Sequence, residues 1–134
     1  MADPSGDYAF EVFRKADKLK PGAQMLLEKK ALKLTGGPSS APAPKGRNVY
    51  GWHVAEGGAD IFLTYCTNAL TAKSENPGQQ IVALPDALAV GAEYGMTVMA
   101  SASPAAYRFA LLILSAEGQR ILAKHGFGAP GLPE

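Results

Sequence analysis

The feature that most constrains this chain is a series of short, continuous apolar runs set between segments of helical periodicity. In "ADIFLTYCTNA", Ala59 to Ala69, the residues Ile61, Phe62 and Leu63 form such a run, and hydroxyl, thiol and amide groups follow at once. A run of that length suits a strand covered on both faces. The stretches "ALKLT", "QQIVALP" and "YGMTVMAS" have the same look. Strands alternating with helices predict an α/β domain whose mainly parallel sheet is flanked by helices.

The helical segments carry clear signals. Tyr8, Ala9, Val12, Phe13, Ala16 and Leu19 fall three or four apart, the one-faced pattern of an amphipathic helix. Asp3, Pro4, Ser5 and Gly6 suit its cap and first turn, and Pro21-Gly22 closes it. A second helix is predicted from Ala23 to Lys30. Asn48 is a good N-cap for a third through "VYGWHVAE", which Gly57-Gly58 stops, and a short one follows in "NALTAK". Ser103-Pro104 opens a long helix, broken near Ser115 and restarted through "AEGQRILAKHGF". Between Gly36 and Gly46 three Pro and three Gly without periodicity predict an ordered loop or a flap.

Composition removes several function classes. At 134 residues, 47% apolar and 19% charged, the chain has the size and balance of one globular domain with a real core. Thirteen basic and twelve acidic residues, with no clustered cationic face, argue against nucleic acid as a partner. The single cysteine, Cys66, allows no internal disulfide, and two His in no ligating pattern give no zinc site. No run is long enough for a spanning helix, and the first residues lack the basic start and apolar centre of a signal peptide. No cofactor is predicted.

Helix starts are the first candidate for binding chemistry, because their unpaired N–H groups and partial positive charge favour an anion. Ser5 and Gly6 suit such a role at the first helix. Asp7 opposes it, since its own carboxylate competes for the dipole. Asn48 and Val49 open the third helix, with Lys45 and Arg47 close by in sequence. Plain capping is the alternative at both starts. Tyr65, Cys66, Thr67 and Asn68 follow the Ile61 to Leu63 run, at the carboxyl end of a predicted strand, where open α/β sheets bind ligands; a capped turn is the alternative. Cys66 with His53 or His125 is a nucleophile-and-base pairing in residue type only, and no pair of carboxylates supports a hydrolase, so no enzyme is predicted.

Taken in order, "DPSGDYAFEVF", "RNVYGW", "EGGADIFLTYCTNA", "IVALP" and "YGMTVMASASPAAYRFALLILSAEGQRILAKHGF" resemble the molybdate-binding proteins of ABC importers, which are class II periplasmic substrate-binding proteins. The resemblance covers nearly the whole chain. Its most specific parts are "P-x-G-x-Y-A" at Pro4 to Ala9, "G-x-A-D" with the run to Tyr65, and the closing "S-x-E-G-Q-x-I-L-x-x-x-G-F".

The resemblance implies an α/β lobe of the periplasmic-binding-protein type. Residues 1–100 would be the second, ligand-binding lobe and residues 101–134 the helices that return to a first lobe, expected upstream of Met1. It further implies a periplasmic protein that captures a tetrahedral oxyanion such as molybdate or tungstate and delivers it to ABC importer membrane subunits. Ser5 and Val49 fall where the family offers backbone N–H groups, with Gly6 and Asn48 beside them, and Tyr65 falls where a tyrosine hydroxyl reaches the oxyanion. An alternative is the ligand-sensing effector domain of a regulator with the same fold. The apolar face of the C-terminal helices predicts a homodimer or a swapped arrangement.

Overall fold

The computed structural model describes residues 5–38 and 40–129; of Ser5 it describes the backbone. The chain divides into two compact units, Met1–Gly91 and Ala92–Glu134. Four helices lie in the first: α1 (Ser5–Leu19), α2 (Ala23–Lys30), α3 (Val49–Ala55) and α4 (Cys66–Glu75). The second holds α5 (Pro104–Leu114) and α6 (Ala116–Lys124).

The α/β expectation, with its mainly parallel sheet, is overturned. The described residues form six helices and no strand. The runs at Ala31, Ile61, Gln79 and Tyr94 are irregular segments, and the backbone hydrogen bonds outside the helices join residues close in the chain, as turns and caps do. An apolar run becomes a strand only where a second strand takes its N–H and C=O groups, and no such ladder forms among the described residues. The run is not covered on both faces either: Ile61 is 81% exposed and Val82 is 82% exposed.

Side chains hold residues 61–65 in place of a ladder. Phe62 packs on α3, its ring 4.9 Å from that of Tyr50 and stacked at 16° on that of His53. Tyr65 meets α1 through Tyr8. The segment thereby bridges two helical pairs, α1 with α2 and α3 with α4.

The first pair turns a corner at Gly22, whose φ of 87° lies in the left-handed region that glycine reaches without strain. Asp17 Oδ1 then accepts from the Gln24 N–H at 3.1 Å. Phe13 is buried and meets Phe10 edge-on, and Lys15 Nζ donates to the Ala89 carbonyl, tying α1 to the loop that ends this unit.

The second pair meets at a glycine. A Cβ on Gly51 would sit 2.8 Å from the Cβ of Ala72, so glycine is what lets α3 lie against α4. Asn48 forms the expected cap, with Oδ1 accepting from the N–H groups of Tyr50 at 3.1 Å and Gly51 at 3.0 Å. Beyond α4, Lys73 Nζ donates to the carbonyls of Pro77 and Gln79, and Gln79 Nε2 donates to the Gly51 carbonyl at 2.7 Å, which returns the chain to α3.

In the second unit Ser115 makes the break between helices. Its Oγ donates to the Leu112 carbonyl at 2.6 Å and accepts from the Gly118 N–H at 3.2 Å, closing α5 and capping α6 with one side chain. Buried Gln119 donates from Nε2 to the Ile113 carbonyl.

Candidate functional site

Tyr65 is the N-cap residue of α4, with extended backbone (φ −69°, ψ 149°). Its ring meets that of Tyr8 on α1 at a centroid distance of 6.1 Å and an interplanar angle of 77°. Tyr8 stands one turn after Ser5. The contact with Tyr65 is therefore made one turn into α1. Asp7 shares that turn.

A recess opens along this contact. Tyr8, Ala9 and Val12 of α1 form one wall, Leu63, Thr64 and Tyr65 a second, and Leu84 and Val90 complete it around about 60 Å³. Its side chains are apolar except for the two tyrosines and Thr64, whose Oγ1 is shut away from solvent.

Asn48 and Val49 lie elsewhere. The Asn48 N–H donates to Glu75 Oε2 at 2.8 Å, and its side chain is occupied by the cap. Glu75 closes α4 whereas Tyr65 opens it, so the length of that helix, about 15 Å for ten residues, separates Asn48 from Tyr65. The contact with Tyr65 is made by Tyr8, one turn after Ser5 and Gly6, and Asn48, with Val49 next to it, lies at the other end of α4 from Tyr65. Arg47 points to the same far end, with Nε 3.4 Å from Glu75 Oε2 and a nitrogen donating to Asn76 Oδ1 at 3.0 Å.

Cys66 is exposed at the first turn of α4. His53 is buried on α3 between Trp52 and Phe62, and its Nε2 has no hydrogen-bond partner among the described residues. Among the described residues no three of His, Cys, Asp and Glu gather as a metal would require. No helix of the described residues is long and apolar enough to cross a membrane.

Sequence reasoning passed over two residues here. Tyr8 reads as one more apolar position of α1, although its place one turn after Ser5 was a usable signal. Thr64 carries no signal of its own, since only tertiary packing closes it in.

Comparison with known proteins decides the family. Residues 1–128 match the family of bacterial extracellular solute-binding proteins. The chain belongs to that family. It is also 32% identical over 126 residues to the uncharacterized protein PM1146 of Pasteurella multocida (strain Pm70), an alignment covering 94% of this chain and 51% of the relative. The chain thus spans about half the length of this relative. No solved structure gives a significant match.

Proposed function

We propose that this chain is part of the solute-binding component of an ABC importer and holds a tetrahedral oxyanion, molybdate or tungstate, against the first turn of α1 and Tyr65. The observation that supports the reading is the Tyr8–Tyr65 ring contact, which joins Tyr65 to α1 one turn after Ser5 and Gly6. Backbone N–H groups at such a start stabilise an anion without a counter-charge. The family's ligand-capturing role supports a protein that does no chemistry on its solute. An extracellular family also supports the periplasm as its compartment.

In this reading residues 1–100 carry the ligand and residues 101–134 form the return segment. Asn48 and Val49 stay outside the contact set, because the backbone N–H of Asn48 is already used by Glu75, its Oδ1 accepts the cap bonds, and both residues lie at the far end of α4 from Tyr65. Exposed Phe109, Leu111 and Leu114 on α5 support self-association through the C-terminal helices; a monomeric mass in light scattering at micromolar concentration refutes that part.

Isothermal titration of the chain with molybdate, tungstate, sulfate and phosphate tests the function. Heat with the first two, weaker or absent with the others, is expected. A preference for sulfate or phosphate would replace the ligand class, and silence with all four would count against the reading.

A further inference from the structure

We propose that Thr64 gives the solute a further hydrogen bond, from a hydroxyl that the free chain leaves unmet. The inference rests on the reading above, that a solute oxygen sits beside Tyr65. Thr64 directly precedes Tyr65 and lines the same recess. Its Oγ1 is shut away from solvent and has no hydrogen-bond partner among the described residues. A hydroxyl in that state has lost its water and gained nothing, so it weakens the fold that holds it.

The rest of the lining says where relief comes from. Ala9, Val12, Leu63, Leu84 and Val90 offer no polar side-chain atom, so within the recess the two tyrosines and Thr64 alone supply side-chain hydrogen-bonding groups. Rotation about χ1 of a threonine exchanges its hydroxyl with its methyl between staggered positions. One such step lets the hydroxyl of Thr64 face a solute oxygen entering the recess next to Tyr65. A hydrogen bond from a neutral hydroxyl to an anion is among the stronger ones, and here it forms without first stripping water from the donor. The same hydroxyl therefore lowers the stability of the free chain and raises its affinity. A residue that only packs does not produce that opposition.

The test compares wild type, Thr64→Val and Thr64→Ser, each melted without anion and each titrated calorimetrically with molybdate, tungstate, sulfate and phosphate. Valine keeps the shape and removes the hydroxyl. Its melting temperature is expected at or above that of wild type while its affinity for the bound anion falls about ten- to a hundredfold, and serine is expected to retain the affinity. A valine variant that binds like wild type overturns the role of Thr64 and leaves the Tyr65 reading standing. A valine variant that melts well below wild type overturns the inference without any ligand, because the hydroxyl is then already satisfied. If wild type gives no heat with any of the four anions, the underlying reading falls and this inference falls with it.

Discussion

The ring of Tyr8 meets the ring of Tyr65 edge-on, 6.1 Å between centroids, and so ties the first helix to the segment that opens the fourth. An edge-to-face pair contributes about 0.5–1.5 kcal/mol beyond its buried area. Tyr8→Phe keeps that contact and is expected to leave stability nearly unchanged. Tyr8→Ala removes it and should cost about 1–3 kcal/mol in urea denaturation; equal stability of the two variants would mean that the rings do not hold α1 to this segment.

Tyr65→Phe separates ring from hydroxyl. If the hydroxyl reaches the anion, the variant keeps its packing on Tyr8 and loses affinity by about ten- to a hundredfold in calorimetric titration, the factor that a hydrogen bond to a charged group of about 1.5–3 kcal/mol implies. An unchanged affinity would remove Tyr65 from the site.

Gly51→Ala tests the close approach of α3 and α4. On an isolated helix the change gains about 1 kcal/mol. Here the new methyl meets Ala72 at 2.8 Å, and overpacking of about 1–3 kcal/mol outweighs the gain. A net loss of stability in denaturant unfolding is expected. A more stable variant would show the two helices standing further apart.

Glu75 joins the start of α3 to the end of α4, accepting from the Asn48 N–H and from Arg47. Glu75→Ala should cost about 1–2 kcal/mol, and Asn48→Ala about 1 kcal/mol through the lost cap. Neither is expected to change anion affinity, since both act about 15 Å from Tyr65 along α4. Weakened binding in Asn48→Ala, with stability corrected for, would bring Asn48 back into the site.

The helices were legible because their signals are local. The capping side chain of Asn48, the corner at Pro21-Gly22 and the double use of Ser115 each lie within a few residues of what they control, and α2 spans the predicted Ala23–Lys30. The strands were misread because pairing is not local. The run of Ile61, Phe62 and Leu63 records that these residues can be buried, not what they pair with, and in the structure Phe62 is spent on the rings of Tyr50 and His53. For the candidate site, Ser5 and Gly6 were proposed from helix-start chemistry and Tyr65 from resemblance, whereas the separation of Asn48 from Tyr65 depends on how α3 lies against α4, which no spacing along the chain encodes.

Everything proposed for binding depends on an oxyanion held between the first turn of α1 and Tyr65. The most direct measurement is a heteronuclear NMR titration of the isotope-labelled chain with molybdate, following every backbone amide. The amides of Gly6 and Asp7 and those of Thr64 and Tyr65 are expected to move first and furthest, while that of Asn48 stays nearly still. Largest shifts at Asn48, or anywhere remote from α1 and Tyr65, would contradict it.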